Sequence, residues 1–341
     1  MLISSLYPII QAPMAGNILP AKMVAKIANS GFIANIASGY LSIEQLVQQI
    51  IEVKGYLHDP RSLFGVNVFI MNSIDPVILK KSEEIKKLEQ LLGISASENF
   101  SVSLPTEEEY VRAIISHRVP IASATFGFFN PSSVQMLKAN NVIVIGTATS
   151  LQEFEYCATL GADAVVLQGK QAGGHQASFL SIEQNSFSTL DLLKQVVSIN
   201  QKKVPLVASG GISQYNMNDF FHHGASYVQL GTAFMMIKES NISELCTNFI
   251  HNKKNTVVTK TITGRYARAI NNHLVSSFAN EQLDYNFPFR HYETSDIRAW
   301  AKNHNCPEYM SLWAGDNPDN FLVQDIDVLI DSLKNHIIAV F

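Results

Sequence analysis

Ala164-Val-Val-Leu-Gln-Gly-Lys-Gln-Ala-Gly-Gly-His175 is the stretch on which the reading of the fold turns. Ala164–Leu167 is a short apolar run with two β-branched residues, the pattern of a strand buried on both faces in a parallel sheet. The run ends in Gln168-Gly169, and Gly173-Gly174 then deliver His175. A flat amide and a titratable imidazole are thereby placed at the carboxyl end of one strand. The glycines of the loop let backbone pass close to a ligand.

The same unit recurs along the chain. Strands are predicted at Pro8–Met14, Phe32–Ile36, Leu63–Phe69, Ile121–Thr125, Val142–Thr147, Ala164–Gln168, Leu206–Ser209 and Tyr227–Leu230. Helical periodicity appears between most of them, at Pro20–Asn29, Ile43–Val53, Ser132–Ala139, Leu151–Leu160 and Leu190–Ile199. Apolar strands alternating with helices imply a parallel sheet covered by helices. About eight such units in about 235 residues fit a (β/α)8 TIM barrel better than an open doubly wound sheet.

Two regions break the rhythm. Met71–Tyr110 carries Lys80, Lys81, Glu83, Glu84, Lys86 and Lys87 and reads as an excursion with a solvated helix. After Phe234 the alternation stops, and polar and aromatic residues dominate as far as Trp313. The expected organisation is a barrel domain over residues 1–237, completed by 314–341, and a smaller, mainly helical domain over 238–313 on the substrate side. Asp325–Asn335 reads as an amphipathic helix packed back on the barrel.

Composition narrows the class without choosing a function. The formal net charge is −4 and 47% of the residues are hydrophobic, so neither nucleic acid nor an anionic membrane is expected as a partner. Cys157, Cys246 and Cys306 are too far apart in sequence for a metal knuckle, and their odd number argues against a disulfide framework. No metal site is expected, and His222-His223 read as the exposed end of a helix. The first residues show no secretory pattern, and no apolar run approaches the ~20 residues of a membrane span. The expected location is the cytoplasm.

In a barrel of this kind the chemistry sits where strands end. The first strand ends Gln11-Ala-Pro-Met-Ala-Gly16, the third carries Gly65-Val-Asn67, and the fourth ends Thr125-Phe-Gly127. The fifth ends Gly146-Thr-Ala-Thr149, the seventh Ala208-Ser-Gly-Gly211 and the eighth Gln229-Leu-Gly-Thr232. Barrels often hold a phosphate between the last two loops, on backbone N–H groups. Gly210-Gly211 and Gly231-Thr232 supply such backbone. Asn67, Gln168 and Gln229 can both donate and accept, which suits the edge of a heteroaromatic ring. A phosphate clamp ringed by neutral amides suggests FMN. Each piece also has a plainer reading: Gly-Gly as a turn, Asn67 as a strand-end cap, Gln229 as structural, His175 as a satisfied core histidine.

Together these motifs resemble the nitronate monooxygenase family, the 2-nitropropane dioxygenase-like proteins, over essentially the whole chain. The resemblance is carried by Pro8-Ile-Ile-Gln-Ala-Pro-Met-Ala-Gly16, Gly65-Val-Asn67, Ala124-Thr-Phe-Gly127, Gly146-Thr-Ala-Thr149, Gln168-Gly169, Ala172-Gly-Gly-His175, Gly210-Gly-Ile212 and Gln229-Leu-Gly-Thr232. Gly264-Arg-Tyr-Ala-Arg268 and Leu312-Trp-Ala-Gly315 extend it. The Gly-Gly-His piece is shared with FMN-dependent enoyl-ACP reductases, while Leu312-Trp-Ala-Gly315 leans towards the nitronate enzymes. The resemblance implies a TIM barrel with a smaller helical domain and one non-covalent FMN. It implies that Asn67, Gln168, Gly173, Gly210, Gly211, Gln229, Leu230, Gly231 and Thr232 hold the flavin, that Met14 and Ala15 line it, and that His175 is catalytic. The sequence departs from the family pattern at Gln171 and Gln176, where an acidic and a basic residue usually flank the histidine. It departs again at Asn17 and at Asp316, where a glycine and a glutamine are usual.

The implied reaction is oxidation of alkyl nitronates, of the propionate 3-nitronate type, by dioxygen to a carbonyl compound and nitrite, without nicotinamide. His175 has two roles to choose between. As imidazole it takes the α-proton of a neutral nitroalkane; as imidazolium it pairs with the nitronate oxygens. The alternatives are an NAD(P)H-dependent FMN reductase of enoyl thioesters or quinones, and a flavin-binding protein without turnover. The small-molecule substrate and dioxygen are the expected partners, and the protein is expected to be a monomer or a homodimer.

Overall fold

The structure is a computed structural model that describes residues 5–59, 61–181, 185–279, 282–318 and 321–338. Its strands, in chain order, are β1 (Ile9–Gln11), β2 (Ile33–Ala37), β3 (Leu63–Phe69), β4 (Ile74–Lys80), β5 (Asn99–Leu104), β6 (Ile121–Thr125), β7 (Ile143–Ala148), β8 (Ala164–Gln168), β9 (Gly174–His175), β10 (Leu206–Ser209), β11 (Tyr227–Leu230), β12 (Thr256–Thr259) and β13 (Ala267–Ile270). Eight of them close into a parallel barrel in the order β1-β11-β10-β8-β7-β6-β3-β2, and helices connect them, so the fold is a (β/α)8 TIM barrel. β1 stops at Gln11, short of the predicted Met14, because Pro13 has no N–H for the ladder. The last rung there is Ala12 N–H donating to the Leu230 carbonyl at 2.8 Å.

Period-2 alternation sorts each strand's side chains between two cores. Ile10, Ile33, Ile121, Ile145, Ala164, Val166, Val207 and Tyr227 fill the inside of the barrel. The alternate positions, such as Val66, Val144, Val165, Leu167, Ala208 and Val228, pack against the surrounding helices in the main cluster. The inward positions change character along the strand. Ile121 gives way to Ser123 and Thr125, Ile145 to Thr147, Val166 to Gln168, Val207 to Ser209 and Tyr227 to Gln229. The barrel is therefore plugged with hydrocarbon at its base and lined with hydroxyls and amides at its carboxyl mouth.

The excursion between β3 and β6 is not simply solvated. β4 and β5 pair antiparallel around helix Glu83–Leu91. That helix is amphipathic, and its apolar face, with Ile85 and Leu88, packs against Ile262, Leu274, Val275, Phe278 and Ile297. Lys81, part of the charged run, is buried because two carboxylates meet it: Glu89 and Asp296, each at 2.6 Å from its Nζ. Excursion and later segment thus share one apolar cluster and form a cap over the barrel mouth. Helix Glu244–Lys253 is different, since Cys246 and Ile250 belong to the barrel's own cluster. So do Ile326, Leu329, Leu333 and Ile337 of the last helix, Ile326–Ile338.

The cap also contains strands that the periodicity does not announce. β12 and β13 pair antiparallel, and β13 continues onto β9, with Ala267 opposite His175 and Arg268 opposite Gly174. His175 is accordingly an edge residue of a three-stranded sheet and not a member of a free glycine loop.

Candidate active site

A cavity of about 810 Å3 lies between the barrel mouth and the cap, within the about 300–1,000 Å3 typical of small-molecule sites. Met14, Ala15, Asn67, Gln168, Gly173, His175, Gly210, Gly211, Gln229, Gly231 and Thr232 all line it. Leu230 does not. Strand alternation turns Gln229 inward and Leu230 outward, into the main apolar cluster, so of this pair only Gln229 presents its side chain to the cavity.

Hydroxyls and backbone groups hold the amides in place. Asn67 Nδ2 donates to Ser123 Oγ at 2.9 Å and Thr125 Oγ1 at 3.1 Å, and Gln229 Nε2 donates to Ser209 Oγ at 3.1 Å. Both ends of the Gln168 amide engage the following loop: Nε2 donates to the His175 carbonyl at 3.1 Å, and Oε1 accepts from Ala177 N–H at 2.9 Å. Gln168 therefore fixes the backbone that carries the imidazole. Gly173 is a close-approach glycine. A Cβ there would lie 2.5 Å from the carbonyl carbon of Ala314, so two backbone segments cross at that point. Gly174 has φ +74°, and a Cβ on it would meet nothing within 4 Å; this is where the backbone leaves open space.

Gln171 and Gln176, which stand where flanking charges were expected, are backbone anchors. Gln171 Oε1 accepts from Thr189 N–H at 2.9 Å, and Gln176 Oε1 accepts from Asn185 N–H at 2.9 Å. Thr189 opens helix Thr189–Ile199, and its hydroxyl donates to the Gly210 carbonyl at 2.8 Å. The loops after β8 and β10 are thus stitched together behind the cavity. Asp316 lies at this end, its Oδ1 3.5 Å from where a Cβ on Gly211 would sit. Burial raises its pKa against the opposing influence of Arg268.

His175 stands in an aromatic enclosure. Its ring centroid is 5.4 Å from those of Phe287 and Trp313 and 5.7 Å from that of Phe126. Nε2 is 2.9 Å from Thr263 Oγ1. One part of the ring stays open to the cavity while protein surrounds the rest. This enclosure, and secondly the Arg265 guanidinium, push its pKa down to about 3. In this enclosure the imidazole is neutral at neutral pH. Arg265 stacks 3.9 Å over the Phe126 ring and donates to the Ser178 and Gln176 carbonyls.

Among the cavity-lining residues absent from the sequence candidates are Tyr40, His291 and Arg298. Tyr40 follows β2 in Ser38-Gly39-Tyr40, a strand end of the kind that marks barrel chemistry, so the signal was available. Its ring lies parallel to that of His291 at 3.5 Å. Arg298 Nη2 donates to the His291 carbonyl at 2.5 Å. His291 and Arg298 sit on cap helices with no motif to announce them. Among the described residues no cluster of His, Cys, Asp or Glu is arranged to hold a metal ion.

Comparison with known proteins supplies the relatives. The profile of the nitronate monooxygenase family matches residues 1–332. A probable nitronate monooxygenase of Staphylococcus aureus strain MRSA252 is 34% identical over 343 residues, covering 97% of this chain and 94% of the relative. The protein of strain JH9 under the same name has the same identity and coverage. Among solved structures, nitroalkane oxidase from Streptomyces ansochromogenes superposes with a TM-score of 0.85 at 24% identity, covering 99% of this chain and 98% of that one. FabK from Thermotoga maritima does so with 0.73 at 22% identity, covering 98% and 95%. At those identities the structural likenesses speak for the fold.

Proposed function

The chain belongs to the nitronate monooxygenase family, an oxidoreductase family, and from that premise we propose that it oxidises preformed alkyl nitronates with dioxygen, through bound FMN, to a carbonyl compound and nitrite. The observation that carries the reading is the His175 imidazole, enclosed by Phe126, Phe287 and Trp313 in a cavity whose barrel side presents neutral amides and hydroxyls; the enclosure keeps the ring uncharged. Such a ring is a poor base for a neutral nitroalkane, because proton transfer is most effective when the acceptor's pKa lies near the working pH. With Nε2 accepting from Thr263 Oγ1, its Nδ1–H is a donor to an anion that has already lost its proton.

The residues fit FMN. Asn67, Gln229 and the hydroxyls of Ser209 and Thr125 offer the mixed donors and acceptors that an isoalloxazine edge requires. Gly210-Gly211 and Gly231-Thr232 offer backbone for the phosphate. The open space beside Gly174 leaves room for a flat ring. When bound, FMN supplies the electron acceptor between nitronate and dioxygen. The chain's own residues do the rest. Gln168 and Thr263 fix the imidazole from its backbone and from Nε2, leaving Nδ1 with no hydrogen bond among the described residues. Phe126, Phe287 and Trp313 exclude water around it. A cytoplasmic setting belongs to the same proposal.

Anaerobic mixing of the flavin-loaded protein with ethylnitronate, or in a separate cell with NADH, tests it. Loss of flavin absorbance with the nitronate alone, and nitrite release on admitting air, is the expected result. Rapid bleaching by NADH with none by the nitronate would overturn it in favour of the reductase reading.

A further inference from the structure

The anion assigned to this cavity needs a positive counterpart, and the neutral His175 does not supply one. Among the described residues the buried cations of the cap are otherwise committed. Lys81 is held by Glu89 and Asp296, and Arg290 by Glu293 at 2.6 Å and Glu84 at 3.7 Å. Arg265 lies on Phe126 and ends on carbonyls. Arg298 lines the cavity, as the exposed Lys302 also does, and burial lowers its pKa. Its hydrogen bonds go only to uncharged groups: Nε donates to Thr294 Oγ1 at 3.3 Å, and Nη2 donates to the His291 carbonyl and stands 3.5 Å from His291 Nδ1. No carboxylate of the described residues pairs with it, and Nη1 has no hydrogen bond among them.

A second observation points to the same place. The Tyr40 hydroxyl is buried with no hydrogen-bond partner, although its residue lines the cavity. A buried phenol normally finds a partner. Burial also raises its pKa, so the group is a donor at any working pH. The Arg298 charge bears on the Tyr40 phenol, and His291 bridges the two residues, its ring stacked on the one and its carbonyl accepting from the other. Tyr40 further holds φ +70°, a backbone state that bulky residues avoid and that recurs at ligand sites.

We propose that Arg298 and Tyr40 form an oxyanion-binding subsite on the cap side of the cavity, taking a planar, negatively charged oxygen pair of the substrate. The guanidinium edge and the phenolic O–H supply the donors that such a pair accepts, and the guanidinium supplies the charge. The inference rests on the nitronate reading for the identity of the substrate. The oxygen pair is either the nitronate itself or a carboxylate elsewhere on the molecule; the chemistry of recognition is the same.

The test uses the flavin-loaded protein and its Arg298→Gln, Arg298→Lys and Tyr40→Phe variants. Anaerobic reduction is titrated with ethylnitronate, which has one charge, and with propionate 3-nitronate, which has two. Binding of non-reacting propionate and nitrate is read separately from the perturbation of flavin absorbance. Arg298→Gln is expected to weaken anion binding about 10- to 100-fold and Tyr40→Phe about 3- to 10-fold, with flavin content unchanged and Arg298→Lys intermediate. Equal losses for both nitronates assign the subsite to the nitronate group; a loss confined to propionate 3-nitronate assigns it to the carboxylate. Unchanged affinity for every anion in Arg298→Gln and Tyr40→Phe, at normal flavin content, overturns the proposal. If the wild type ignores nitronates and responds to NADH, the parent reading fails, and the propionate and nitrate titrations still decide the subsite.

Discussion

His175 is the residue at which environment most changes what sequence implies. A histidine after two glycines reads as a titrating group near pH 6.5. The aromatic enclosure and Arg265 make it a neutral ring, with a pKa pushed down to about 3. The sign of the linkage follows. Between about 6.5 and about 3 the unfolded chain binds a proton that the folded chain refuses, so this residue costs stability as the pH falls through that window. Denaturant titrations at pH 7 and pH 5 should show a smaller acid-side loss for His175→Asn than for the wild type. The kcat/KM profile on preformed nitronates should lack a histidine limb near pH 6.5. Asp316 makes a second prediction. Its carboxylate stands beside Gly211, where a phosphate is proposed, so Asp316→Asn should tighten FMN retention severalfold in equilibrium dialysis, with the gap closing at low pH as the wild-type carboxyl, its pKa raised by burial, takes up its proton.

At the scale of elements, the two glycines before His175 are not equivalent. Gly173 is where the 314–315 backbone crosses, and a Cβ would lie 2.5 Å from it. Gly173→Ala should therefore lower Tm sharply and release flavin. Gly174→Ala meets no protein atom and bears only the left-handed φ, at about 1–2 kcal/mol; it should fold, while its methyl enters the space proposed for the flavin ring and weakens flavin retention. Thermal melts of the two variants compare these directly. Sequence announces the glycine pair but not this division, because the partner backbone lies about 140 residues further along the chain. The strands β12, β13 and β9 were illegible for a related reason. Each is four residues or fewer and, unlike the equally short β1, β10 and β11, lies outside the repeating strand–helix units that make a short run readable; their pairing also joins residues far apart in sequence. The barrel strands were legible because each unit of apolar run, polar end and amphipathic helix repeats locally.

At the scale of the whole molecule, the cap is clamped from inside by Lys81, which joins the excursion to helix Ser295–Asn303 through Asp296. Removing the ammonium orphans the buried Glu89 as well, and breaking buried pairs costs about 3–5 kcal/mol. Lys81→Met should lose stability near the lower end of that range, since Asp296 is partly exposed, and chemical denaturation measures it. The barrel-side candidates read from the sequence come together along one cavity, because strand ends converge by topology. The cap side, with Arg298 and His291, carries no motif and became visible only when the fold brought it over the mouth.

β9 belongs to two bodies at once. Its hydrogen bonds run to β13 in the cap, while the Gln168 amide ties its carbonyl to the rim of the barrel. A cap that lifts to admit or release a molecule must either carry the imidazole with it or break the Gln168 tie. On the proposed reading, then, the imidazole keeps its place against the barrel only while the cap stays seated.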